Sequence, residues 1–253
     1  MMAAGILALW QIVVWLTNAP MYLLPGPWSV LSALISNNEL ILSNAIVTIT
    51  EILLGLVLGT ILGTSSAIVI ATFRPARLWL LPILIASQAV PVFAIAPLLV
   101  LWLGYGIASK VCMAALIIFF PVAANFLDGL RRTESGWLDL AATMVSRTRW
   151  SRLNILWHIQ IPAGLPALAS GLRVATAVSP IGAIVGEWVG AGAGLGYLML
   201  HANARVQVDL MFAALLTITT FSVAFYFLID ASLKRLIPWQ PDHLPEPIDQ
   251  RRS

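Results

Sequence analysis

The feature that most limits what this chain can fold into is the recurrence of apolar runs close to the thickness of a lipid bilayer. A hydrocarbon core about 30 Å thick is crossed by roughly 20 helical residues. Runs near that length fall at about residues 2–17, 44–72, 80–103, 111–127, 171–189 and 211–233. Apolar residues make up 60% of the 253 and charged residues only 10%, a balance that excludes a water-soluble domain of this size. Backbone amides in hydrocarbon must be satisfied within their own segment, so the runs are read as helices. The expectation is an all-α integral membrane protein, one domain over 1–253 with six transmembrane helices. The first run is the shortest and has no flanking charge, so a signal peptide competes with it. The missing basic n-region and the poor cleavage site at Thr17-Asn18-Ala19-Pro20 favour a span.

Charge placement sets the orientation. Arg74 and Arg77 follow the second run; Arg131, Arg132, Arg147, Arg149 and Arg152 follow the fourth; Arg173 opens the fifth; Lys234, Arg235, Arg251 and Arg252 follow the sixth. These are twelve of the fourteen basic residues, and only Lys110 and Arg205 fall on the other side. The positive-inside rule therefore places 74–77, 128–170 and 234–253 in the cytoplasm, and both termini with them. The net charge of +3 is a topology signal, dispersed beside Asp128, Glu134 and Asp139, and no nucleic-acid partner is expected. The single Cys112 lies in an apolar run and reads as a small packing residue.

No enzyme chemistry emerges. There is no Gly-x-x-x-x-Gly-Lys-Ser/Thr phosphate loop, and Gly190-Ala-Gly192-Ala-Gly194-Leu-Gly196 neither follows a strand nor precedes a Lys. His158, His201 and His243 are scattered, without metal-ligand or Ser-His-Asp spacing, so no metal site and no catalytic residue is expected.

Small residues recur every four positions at Gly55, Gly59, Gly63, Ala67 and Ala71, and again at Gly182, Gly186, Gly190 and Gly194. Such stripes let helix backbones approach in lipid, either within the chain or between subunits. Polar residues inside the runs are costly and mark a cavity or a partner. Glu187 lies about 21 Å beyond Arg173 at about 1.5 Å per residue, with the helix-breaking Pro180 between them. It is read either as a cavity or gate residue or as a carboxyl bonded inside the bundle. Glu51 is expected to snorkel or pair. Gln88, Pro91 and Pro97 break the third run, as helices lining a cavity do, and with Pro180 and Glu187 they are candidates for a translocation pathway. The segment from Tyr197 through His201 and Asn203 to Arg205 is too polar to span and is expected to lie at the outer interface.

Between the fourth and fifth runs, Leu138, Ala141, Ala142 and Val145 recur at i, i+3, i+4 and i+7, one apolar helical face able to enter a partner's groove or pack on the bundle. Asp139-Leu140-Ala141 followed by Ile159-x-Ile161-Pro162 resembles the cytoplasmic coupling loop of ABC importer permeases, here over 128–170. Val145 stands where the family has a Gly, and the spacing is four residues longer. Gln88-Ala-Val-Pro91, Ala96-Pro97-Leu-Leu, Gly104-Tyr-Gly106, Gly186-Glu187-Trp188 and Gly194-Leu-Gly-Tyr are similar to the nitrate, sulfonate and taurine group of that family. Gly194 to Arg205 with Asp209-Leu-Met-Phe-Ala-Ala most resembles permeases for thiamine precursors such as hydroxymethylpyrimidine.

The resemblance implies a type I ABC importer permease fold with a coupling helix between spans four and five. It also implies an inner-membrane homodimer, two ATPase subunits that bind ATP and Mg, a periplasmic or lipid-anchored substrate-binding protein, and alternating access; no cofactor belongs to this chain. Sulfonate, taurine, nitrate or riboflavin-type solutes are the alternatives. An ion-coupled secondary transporter would show inverted repeats and paired intramembrane ionisable residues, and the sequence displays neither.

Overall fold

The computed structural model describes residues 2–144 and 153–239, and its regular structure is helical throughout. The helices are α1 (Met2–Thr17), α2 (Pro27–Ser36), α3 (Asn38–Thr72), α4 (Arg74–Ala89), α5 (Val92–Leu103), α6 (Ile107–Arg131) and α7 (Ser135–Met144). After them come α8 (Ile161–Gly190), entered through a π turn at Leu156–Gln160, then α9 (Leu195–Ala204) and α10 (Val208–Leu236). Local chemistry sets several boundaries. Pro27 opens α2 directly after Gly26, where its fixed φ suits the first turn and its missing N–H costs nothing. Pro91 forces Val90 into extended backbone (φ −84°, ψ 120°), which ends α4. Gly104, at φ 80°, closes α5 in a conformation that a side chain would strain.

Among the described residues, four helices are long and apolar enough to cross a membrane: α3, α6, Leu153–Gly190 and α10. The bent pair Pro75–Ser87 and Val92–Leu103, at 105° to each other, makes five if it counts as one span. Length and composition thus support four or five crossings where the sequence predicts six. The shortfall is α1: at 16 residues it reaches about 24 Å, less than the bilayer core. The second span begins earlier than expected, at Asn38, and the helix of the fifth reaches back to Leu153. Much of the expected loop 128–170 is therefore helix, in the end of α6, α7 and the start of α8.

α6 is the centre of the bundle, running between α3 and α8. On one side Gly55, Gly59 and Gly63 of α3 lie against Ala114, Ile118 and Val122; on the other Gly182 and Gly171 of α8 lie against Ala114 and Pro121. A Cβ added at Gly55 would stand 2.5 Å from that of Ala114, and one at Gly182 would stand 2.7 Å from the Ala114 Cα. Both glycine stripes are thus used within the chain, the first receiving the side chains of Ala114, Ile118 and Val122 and the second lying against α6 backbone at Gly171 and Gly182. Around this seam Ile52, Ile118, Val122, Leu195, Leu198, Leu210 and Phe225 form the largest apolar cluster, to which α9 and α10 contribute.

Candidate functional site

The antiparallel packing of α6 and α8 gives the bundle two ends, one carrying α7 and the other α9. At the α7 end, Asp139 and Leu140 are exposed, Leu138 is half-buried and Ala141 is buried at 5%. The two residues of the predicted apolar face whose burial is described, Leu138 and Ala141, thus turn toward the chain itself, and the exposed positions are Asp139 and Leu140 beside it. Ala141 points inward to a cavity of about 730 Å³ shared with Gly129, His158, Ile159 and Ala167. Leu140 and Trp137 keep over half their surface free. Ile159 lies half-buried in the π turn, and Pro162 occupies the first turn of α8. Ala142 lies on α7, and Val145 falls outside the described residues.

Midway along α8, Pro180 cannot donate to the Thr176 carbonyl, and the Ser179 hydroxyl donates to that oxygen instead, at 2.9 Å. Both Thr176 and Ser179 are buried, so this substitution keeps the interior saturated. Beside Pro180 lies a cleft of about 350 Å³ between α5, α8 and α10, walled by Phe93, Ile181, Ile184 and Trp188 with the hydroxyls of Thr219 and Ser222. Among the described residues no charged side chain lines it. Of the predicted pathway residues Pro180 borders the cleft. Pro91 and Pro97 are exposed on the broken α4–α5 segment, and Gln88 is placed in the last turn of α4.

Glu187 faces away from the cleft. It is 1% exposed and acts as an acceptor for the first turn of α9. Its Oε1 accepts the Thr48 hydroxyl at 2.6 Å, and its Oε2 accepts the Gly196 and Tyr197 amides, the latter at 3.3 Å. Thr48 Oγ1 in turn accepts the Leu195 amide at 2.7 Å, and Asn44 Oδ1 accepts that of Gly194 at 2.8 Å. Glu51, one turn beyond Thr48 on α3, is buried at 1% with Oε2 unpartnered, so it does not snorkel. On α9 His201 and Asn203 are exposed while Leu198 and Ala202 are buried, and Arg205, which follows the helix, is exposed as well.

The cations nearest the bundle interior are engaged. Lys110, 5% exposed, donates its ammonium to the Tyr105 and Gly106 carbonyls at 2.8 and 3.1 Å. Arg173 Nε lies 2.6 Å from Asp230 Oδ1 on α10, and Lys234 completes the group at 3.2 Å from Oδ2. Sequence reading missed Asp230, Thr48 and Asn44. The one available signal was polarity inside an apolar run, which marks a residue as partnered without naming the partner.

A family model described as "Binding-protein-dependent transport system inner membrane component" matches residues 55–239. The chain is 54% identical to a "Probable ABC transporter permease protein" of Haemophilus influenzae, over 92% of this chain and 93% of the relative. It is 32% identical to the "Formylaminopyrimidine transport permease protein ThiX" of Halalkalibacterium halodurans, over 93% and 92% of the two chains. To the "Riboflavin transport system permease protein RibX" of Chloroflexus aurantiacus the identity is 33%, over 93% and 87%.

Proposed function

Since the chain belongs to the family of binding-protein-dependent transport system inner membrane components, we propose that it carries a small, neutral, planar solute, an aminopyrimidine precursor of thiamine such as hydroxymethylpyrimidine. It is the membrane permease subunit of an ABC importer and not an enzyme, and it works with an ATPase and a substrate-binding protein. In this reading two copies form the pore with α1 as a sixth span, both termini are cytoplasmic, and two ATPase subunits engage the α7 end. ATP-driven closure of the ATPases draws the α7 helices together and opens the α9 end toward the binding protein; hydrolysis resets it. Asp139 and Leu140 offer the exposed contact, with Leu138, Ala141, Ala142, Val145, Ile159 and Pro162 shaping the element that carries them. Leu140→Asp is expected to release the ATPase from the purified complex while the permease still inserts.

One observation carries the solute assignment: the cleft at Pro180 is apolar, aromatic at Phe93 and Trp188, and uncharged, while Lys110 and Arg173 are bonded elsewhere. An apolar cavity with a few hydrogen-bonding groups suits a neutral heterocycle; a sulfonate pathway calls for a free cation. The name of the formylaminopyrimidine permease relative points the same way. The test is growth of a strain blocked in pyrimidine-precursor synthesis on limiting hydroxymethylpyrimidine, with and without this permease, beside taurine, alkanesulfonate and riboflavin uptake. Permease-dependent growth on the pyrimidine is expected. Dependence confined to a sulfonate or to riboflavin refutes the assignment and leaves the family intact.

A further inference from the structure

We propose that Glu187, Thr48 and Asn44 are positioning residues that lock α9 into the surface offered to the substrate-binding protein, and that Glu187 does not border the solute's route. The first amides of a helix have no partner within it. In α9 the amides of Gly194, Leu195, Gly196 and Tyr197 are taken in order by Asn44, Thr48, Glu187 and Glu187 again. Every one of these acceptors comes from α3 or α8, so the cap is also a joint between three elements. Thr48 closes it by accepting from Leu195 and donating to Glu187.

The last two glycines of the run from Gly190 to Gly196 are explained by the same joint. Gly194 sits at φ 119°, and a Cβ there would fall on the Glu187 carboxyl group; one at Gly196 would come within 2.9 Å of Glu187 Oε2. The carboxylate occupies the space that side chains would take. α9 buries Leu195, Leu198 and Ala202 in the main core and turns His201, Asn203 and Arg205 outward. The joint therefore fixes which face is exposed. Trp188, the neighbour of Glu187, lines the cleft instead.

The surface role rests on the importer reading above; the joint itself does not. The experiment introduces Leu198→Cys, at a position buried at 6% in the parent, on a Cys112→Ser background in the assembled transporter and follows the reaction of the new thiol with fluorescein maleimide. Glu187→Ala and Thr48→Val are expected to speed labelling about five- to thirtyfold, the population change that loss of one or two kcal/mol produces. Glu187→Gln, whose amide oxygen still accepts both backbone amides, is expected to stay near the parent. In hydroxymethylpyrimidine uptake, Glu187→Ala is expected to raise the half-saturating concentration and leave the maximal rate per assembled transporter unchanged, with Glu187→Gln restoring it. A thiol that stays protected in both Glu187→Ala and Thr48→Val overturns the proposal. So does loss of uptake in Glu187→Gln with the thiol still protected, which would put the charge on the solute's route. If Glu187→Ala does not assemble, Asn44→Ala, which removes a single bond to α9, decides, and protection there refutes the joint. A parent that does not transport hydroxymethylpyrimidine counts against the solute assigned above and leaves the labelling arm to judge the joint.

Discussion

Gly55→Ala is the most sharply defined perturbation of the bundle. The new methyl would lie 2.5 Å from the Ala114 Cβ, against about 3.5–4.0 Å for a relaxed carbon contact. α3 and α6 must then separate by about 1 Å, because Ala114 is 0% exposed and has no rotamer to yield. Overpacking of this kind costs about 1–3 kcal/mol. At about 2–4 °C per kcal/mol for a chain of this size, the melting temperature should fall by about 2–12 °C. The assay is thermal unfolding of purified permease in one detergent at one scan rate. Ala114→Gly supplies the control: without that methyl the nearest atoms are the Ala114 Cα and carbonyl carbon at 3.5 Å, an ordinary contact. The double variant should recover most of the loss, because it exchanges one helix glycine for another and the two intrinsic helix costs offset each other. Gly182→Ala meets the Ala114 Cα at 2.7 Å, which Ala114→Gly cannot relieve, so that pair should not recover. A Gly55→Ala protein that melts like the parent, or equal rescue of both variants, refutes the packing argument.

Ser179→Ala should destabilise the permease by about 1–3 kcal/mol, since it orphans the buried Thr176 carbonyl, and should cost clearly less on a Pro180→Ala background, where the new amide can donate; equal costs in a thermal double-mutant cycle would contradict this. Arg173→Asp and Asp230→Arg should each lower membrane yield, and the combined swap should restore it because the pair joins α8 to α10; a swap no better than the single variants would show that the contact does not matter. On a Cys112→Ser background, Arg205→Cys should react with an impermeant maleimide added to intact cells and Arg149→Cys should not; equal labelling would overturn the orientation read from the basic residues.

The spans were legible because a membrane helix is fixed by local pattern: each run must satisfy its own backbone, so composition over about 20 residues suffices. The breaks were legible for the same reason, since Pro91 restricts its predecessor and Pro180 leaves the carbonyl four residues back without a backbone donor. α1 marks the limit of that rule, being largely apolar and yet only 16 residues long. The glycine stripes announced close approach without saying to what; pairing with Ala114 and Val122 is a property of the bundle. Glu187 could be picked out as unusual, yet its partners lie 139 residues back at Thr48 and across a turn at Gly196, and nothing local distinguishes a cap from a gate. Arg173 and Asp230, 57 residues apart, were hidden for the same reason. At α7 the period identified an apolar face but not its neighbour, and Ala141 faces the chain's own cavity.

The seam along α6 has a mechanical consequence. Long side chains can change rotamer as helices slide past one another, although a close-packed interior as a whole transmits strain. Where Gly55, Gly59 and Gly63 on one side and Gly171 and Gly182 on the other meet Ala114, Ile118, Pro121 and Val122, that freedom is small, because the contacting groups are backbone, a methyl or β-branched side chains. α3, α6 and α8 are then expected to move as one stiff body, so that under the proposed function a displacement at the α7 end would be passed to the far end of α8. Compliance is left to the joints that lack this seam: the extended link at Val90–Pro91 and the short connection from Ala191 to Gly194.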